Sequence, residues 1–255
     1  DSLFADGLDP GSAVAVWVDG QPVVDLWGGW SDEAQTRPWQ QDTLVNVWSV
    51  TKGVLALAAA MLVDRGQLDY TAPVARYWPE FAQRGKQGIT VDQVMSHQAG
   101  LDGVDGPISD ADVYAWTPFV QALERMAPLW EPGSRCVYHA MTYGHLVGEL
   151  IRRIDGRSPG RFIAEEIVRP WGLQFHIGLP ASEDHRAAEM SAHEKAYDWI
   201  RQGEKTAYPH AFRNPTLSAT TPNARAWRAA EVPAANGQAD ARSLATLYGV
   251  LACGG

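Results

Sequence analysis

The apolar positions of this chain change period along its length, and each change marks an element. Residues 12–30, SAVAVWVDGQPVVDLWGGW, hold two apolar, β-branched runs on either side of Asp19-Gly20. That dipeptide accepts the positive φ angles of a tight turn, so the stretch predicts a β-hairpin. From Leu55 to Leu62 nearly every position is apolar, and Gly66 follows just past the run. A helix apolar almost all round is a buried one, and a glycine after its last turn is a stop signal. Thr90 is expected to cap a short helix through Val94. Thr117-Pro118 opens another, with proline in the first turn, where its missing N–H costs nothing. Further helices are expected over Thr142 to Ile154, from Ser158-Pro159 through Val168, and over Asp240 to Ala252.

Residues 180–236 interrupt this rhythm with many Pro, Asn, Thr and Ser, and only short helical pieces such as His185 to Trp199 are expected there. Long irregular segments inside a domain are usually functional. A hairpin followed mostly by helices predicts an α+β fold, in which helices flank an antiparallel sheet. Two strands alone make a marginal sheet. The strands that complete it are expected on the C-terminal side, after the last helix and beyond Gly255.

Composition narrows the partners. The 255 residues, 45% of them hydrophobic, suffice for one large core. No apolar run reaches the roughly 18 to 20 residues of a membrane helix. A net charge of -9 repels a phosphate backbone, so neither membrane nor nucleic acid is an expected partner. Cys136 and Cys253 lack any Cys-x-x-Cys or Cys/His clustering, which signals neither zinc nor a disulfide framework. Reduced thiols and no visible secretory signal point to the cytoplasm. The seven His form no H-x-x-x-H or H-E-x-x-H pair, so no metal or other cofactor is expected. The 11 Trp and 8 Tyr exceed what a core of this size requires and suit an aromatic-lined pocket.

Chemistry enters at Ser49-Val50-Thr51-Lys52, an S-x-x-K pattern at the mouth of the buried helix. Residues at i and i+3 share a helix face. The helix N-terminus adds partial positive charge and free N–H groups beside the serine. A serine hydroxyl needs a base, and a lysine can serve if burial lowers its pKa. By itself S-x-x-K is a weak signal. The second element is Trp130 to Ala140, WEPGSRCVYHA, where a Pro-Gly turn leads into an expected short strand carrying Tyr138. A tyrosine there can relay protons if a lysine ammonium lowers its pKa. No G-x-S-x-G surrounds Ser49, which argues against a nucleophile elbow.

Ser49-x-x-Lys52, then Ser96-His97-Gln98-Ala99-Gly100-Leu101, then Glu131-Pro132-Gly133 leading to Tyr138, resemble the serine β-lactamase-like superfamily of class C enzymes and penicillin-binding proteins. Within it the chain looks most like the family VIII carboxylesterases. Leu26-Trp27-Gly28-Gly29, Phe175 to Pro180 and Pro233-Ala234-Ala235-Asn236-Gly237 support the likeness, which runs through essentially the whole chain. The resemblance implies a β-lactamase/transpeptidase-like fold with a site between two lobes. A mixed lobe would take residues of about 1–65 and 235–255, and an all-helical lobe about 66–234. It implies Ser49 as the acylated nucleophile, with Lys52 and Tyr138 sharing the general-base and general-acid roles. The Ser49 N–H would be one oxyanion donor.

Two departures qualify the likeness. A third motif (Lys-Thr-Gly, His-x-Gly or Trp-Gly-Gly on a late strand) is not evident. Trp27-Gly28-Gly29 comes too early, His176-Ile177-Gly178 reads as scaffold, and Lys205-Thr206-Ala207 lacks the glycine. The motif is expected beyond Gly255. Ala140 stands where the lactamases carry the Asn of Tyr-x-Asn, which bonds a substrate amide. That disfavours β-lactam and peptide turnover more than ester cleavage. Around the core triad, Trp48 and His139 are the expected substrate-side residues, although strand alternation turns His139 away from Tyr138. His97 is expected to hold a loop, and Asp69 to serve a turn. The reading is a serine esterase for small or short-chain esters, with weak β-lactam hydrolysis. A β-lactamase, D-amino-acid peptidase or acyl transferase of the same fold, and a catalytically incomplete scaffold, are the alternatives. Oligomeric state is open.

Overall fold

The computed structural model describes residues 9–191 and 220–254, together with Phe4, Asn214, Pro215 and Ser218. Strands β1 (Gly11–Val18) and β2 (Gln21–Gly29) form the expected antiparallel hairpin. Its turn holds Asp19 at φ 49° and Gly20 at φ 73°, the two positive angles that the dipeptide suits. A second sheet escapes the sequence pattern. Its strands are β3 (Val45–Asn46), β4 (Phe175–His176) and β5 (Gln238–Ala239), ordered β3-β5-β4 and antiparallel. Two-residue strands are too short to show a period. They nevertheless tie three distant parts of the chain together directly before the Ser49 turn.

Helix α1 (Val50–Asp64) starts at Ser49 and ends as foreseen. Gly66 donates to the Val63 carbonyl and Gln67 to the Leu62 carbonyl, the paired bonds of a Schellman stop. Val54, Leu55, Ala58, Ala59 and Leu62 are buried, while the other apolar positions of the helix are mostly half-buried. Helix α2 (Val91–Met95) carries a capping box from Thr90 and Gln93. Helices α3 (Asp110–Tyr114) and α4 (Thr117–Arg125) follow. Helix α5 (Thr142–Asp155) is buried over its first ten residues and packs against α1. Helix α6 (Pro159–Ile163) begins where Ser158-Pro159 predicts, but its continuation through Val168 is a turn of π-helix.

Among the described parts of 180–236, Ala181–Arg186 is a 3-10 helix, and Arg225–Ala229 forms α7. The helix expected over 185–199 is not found where the chain is described, because Ala187 is already extended and bridges Leu44. Residues 192–199 of that expectation, and Lys205-Thr206-Ala207, lie outside the described residues. Helix α8 (Ala241–Ala252), capped by Asp240, lies against β1. One hydrophobic cluster runs from Val54 to Leu247, with Trp78, Phe81, Phe119, Phe162 and Trp227 fully enclosed. No helix among the described residues is long and apolar enough to cross a membrane.

Candidate active site

Ser49 occupies the N-cap of α1, but its own backbone is already helical and its Oγ makes no capping bond. The hydroxyl is therefore exposed and not consumed by the helix. Trp48, just before it, holds φ at 45°, a left-handed angle that costs a tryptophan energy and persists only where neighbours fix it. The turn is thus strained and presents Ser49 at the surface of an otherwise buried helix.

Lys52, one turn on, is only 7% exposed. Its Nζ lies 3.2 Å from Ser49 Oγ and donates to the carbonyls of Ala140 and Ala234, each at 2.8 Å. No carboxylate pairs with it among the described residues. Burial without a counter-ion lowers its pKa from 10.5 to about 7. A neutral amine keeps two N–H donors, and the two carbonyls match them. The remaining lone pair then faces Ser49 Oγ.

Tyr138 Oη donates to Ser49 Oγ at 2.6 Å, and its ring sits 4.8 Å from Lys52 Nζ. The segment around it is not the expected strand. It is irregular and extended, and His97 substitutes for a partner strand. The His97 carbonyl accepts the Val137 N–H at 3.0 Å, and its Nδ1 accepts the His139 N–H at 3.1 Å. One histidine, at φ 62°, thus grips both neighbours of Tyr138. Nor does the lysine lower the tyrosine's pKa. Burial raises it, against a smaller opposing effect of the bond to Ser49. The pair is divided by environment, with a lysine poised to accept a proton and a tyrosine poised to keep one.

His139 does not line a pocket. It is fully buried, its Nε2 accepts the Leu101 N–H at 3.2 Å, and burial drops its pKa to about 4. Its ring is enclosed while that of Tyr138, next to it, is exposed. Trp48 is half-buried, 5.9 Å between ring centroids from the enclosed Trp227, which Tyr114 meets edge-on at 6.3 Å. Asp69 serves a turn, accepting from the Thr71 N–H and hydroxyl.

The sequence pattern missed the Ala234 carbonyl. Its segment reaches Lys52 because α5 has Gly144 at the crossing, where a Cβ would fall 2.4 Å from the Ala234 nitrogen. Backbone carbonyls carry no sequence signal, but a glycine inside a helix is one. Among the described residues, no group of three His, Cys, Asp or Glu side chains could hold a metal ion.

A family model described as Beta-lactamase matches residues 1–254. The chain is 39% identical to Esterase/beta-lactamase LipL of Mycobacterium tuberculosis, over all of this chain and 61% of that protein. Its structure is similar to a crystal structure of a family VIII carboxylesterase, with a TM-score of 0.90 and 44% identity. That similarity covers 100% of this chain and 68% of the other. A penicillin-binding protein homologue from Caulobacter crescentus gives a TM-score of 0.87 and 41% identity, over 100% and 67%. The chain thus spans about three fifths to two thirds of the length of the proteins it matches.

Proposed function

Because this chain belongs to the beta-lactamase family, we propose that it cleaves small or short-chain carboxylic esters through an acyl-serine on Ser49. The observation that carries this reading is the triangle of Ser49 Oγ, Lys52 Nζ and Tyr138 Oη, at 3.2 and 2.6 Å, with the lysine at a pKa of about 7. The site falls between the proposed mixed lobe, residues of about 1–65 and 235–255, and a proposed second lobe of about 66–234, which is mostly helical rather than all-helical because its β4 (Phe175–His176) pairs with β5. Ser49 and Lys52 come from the first and Tyr138 from the second.

In the forward step, the neutral Lys52 amine takes the Ser49 hydroxyl proton as Oγ attacks the ester carbonyl. The oxyanion forms beside the Ser49 N–H, which no group among the described residues accepts. Tyr138 gives its proton to the departing alkoxide, and the Lys52 ammonium restores it through water. Water then attacks the acyl-serine, its proton passes to the same pair, and Ser49 Oγ leaves as the hydroxyl.

Ala140 favours esters over amides. It offers a substrate only a buried methyl, and its carbonyl is already engaged by Lys52. β-Lactam hydrolysis is accordingly the weaker activity. Trp48 is proposed as a wall of the substrate pocket. The exposed, unpaired Cys136 and Cys253 support a reducing, cytoplasmic setting. Parallel assays with p-nitrophenyl butyrate and nitrocefin test the reading. Ester turnover that exceeds nitrocefin turnover and disappears in Ser49→Ala supports it, whereas nitrocefin turnover exceeding ester turnover overturns the substrate assignment.

A further inference from the structure

Thr51 lies between the serine and the lysine and is fully buried. Its hydroxyl donates to the Trp48 carbonyl and accepts the Gly237 N–H at 2.9 Å. One hydroxyl supplies one proton and two lone pairs, so both bonds coexist. A threonine in a first helical turn commonly bonds back to the carbonyl three residues before it. The bond from Gly237, 186 residues away, is not part of that habit.

Gly237 completes a clamp. Its carbonyl accepts the Val47 N–H at 2.8 Å, so its two backbone groups hold the chain on both sides of the strained Trp48. Such closeness requires glycine, since a Cβ would sit 2.6 Å from Thr51 Oγ1 and 3.0 Å from the Phe175 ring. Three residues before Gly237, the Ala234 carbonyl accepts a hydrogen bond from Lys52 Nζ at 2.8 Å. The intervening loop is held by buried hydrogen bonds. Asn236, fully buried, donates to the Trp227 and Ala230 carbonyls at 2.9 and 2.6 Å and accepts the Val232 N–H at 3.0 Å. Asn46 holds the Ala235 carbonyl at 3.1 Å.

We propose that Thr51 is a positioning residue, whose hydroxyl locks the Trp48 turn to Gly237 and so fixes the Ala234 wall against Lys52 and Lys52 against Ser49. The proposal rests on the reading of Lys52 as the base. Without the hydroxyl, the Trp48 carbonyl keeps the Thr51 N–H at 3.0 Å, but the Gly237 N–H loses its buried partner and is satisfied by a shift of the loop or by entering water. Water beside Nζ relieves the desolvation that keeps the lysine neutral.

The test follows Lys52 directly, by NMR titration of lysine labelled with carbon-13 at Cε in the whole protein, with Lys52→Met assigning the signal. Thr51→Ser, which keeps the hydroxyl, retains the wild-type midpoint near 7. Thr51→Val raises it by about one pH unit, a roughly fivefold loss of amine at pH 7 that approaches tenfold at lower pH. The acid limb of kcat/KM on p-nitrophenyl butyrate moves with it. Thr51→Ala, which adds no branched methyl, gives the same reading if the valine variant does not fold. A folded Thr51→Val or Thr51→Ala protein with an unmoved midpoint overturns the proposal. If Ser49→Ala retains esterase activity, the functional reading fails instead, and the titration still judges the clamp.

Discussion

Lys52 Nζ and the Ala234 carbonyl oxygen meet at 2.8 Å across 182 residues of sequence. With Ala140 on its other side, the lysine has two carbonyl acceptors and, among the described residues, no anion, an arrangement that orients an amine and leaves an ammonium poorly compensated. The proposed activation of Ser49 rests on this cage.

The cage sets a pH dependence of activity. Lys52 must be neutral to take the serine proton, so kcat/KM on a neutral ester rises with pH through about 7 and then levels. Lys52→Met abolishes the limb and lowers kcat/KM by about 10² to 10⁴-fold. Steady-state rates between pH 5 and 9 check both outcomes.

Stability changes in the same range. Lys52 titrates at about 7 in the fold and at 10.5 when free, so between these values the unfolded chain holds a proton that the folded chain lacks. Unfolding free energy from this group therefore rises with pH across that window, by up to about 1.4 kcal/mol per pH unit. Below about 7 the contribution is flat. Lys52→Met removes this dependence, and urea unfolding of the two proteins at several pH values measures the difference.

Tyr138 tests the division of labour. Its hydroxyl bonds only Ser49 among the described residues, and the side chain is partly exposed. Tyr138→Phe is expected to lower kcat/KM by about 10² to 10⁴-fold while changing stability by less than about 0.5 kcal/mol. Kinetics and thermal unfolding on the same preparation separate the two effects.

The two histidines should divide in the same assays. His97→Ala frees both neighbours of Tyr138 and reduces kcat/KM as well as stability. His97→Asn keeps a side-chain acceptor and restores part of each. His139→Ala orphans the buried Leu101 N–H and costs about 2–3 kcal/mol, chiefly as lost stability, with KM unchanged.

What the sequence revealed was what is local. The Asp19-Gly20 turn, the Thr90 cap, the stop at Gly66 and the S-x-x-K spacing each depend on residues a few positions apart. What it hid was held from a distance. The segment of Tyr138 looked like a strand because its backbone needs partners, yet His97 provides them without a ladder. Strands β3, β4 and β5 are too short for alternation to show. His139 shows a conflict already present in the sequence, since alternation with an outward Tyr138 leaves its ring no way to reach the pocket. The proposed catalytic trio was legible as residue types in order, whereas the carbonyls around its lysine were not.

A fluorophosphonate probe reads most directly whether Ser49 is a nucleophile activated by Lys52. Peptide mapping by mass spectrometry after labelling should find one adduct, on Ser49, formed more slowly in Lys52→Met and absent in Ser49→Ala. An adduct on another residue, or full esterase activity in Ser49→Ala, would contradict the account.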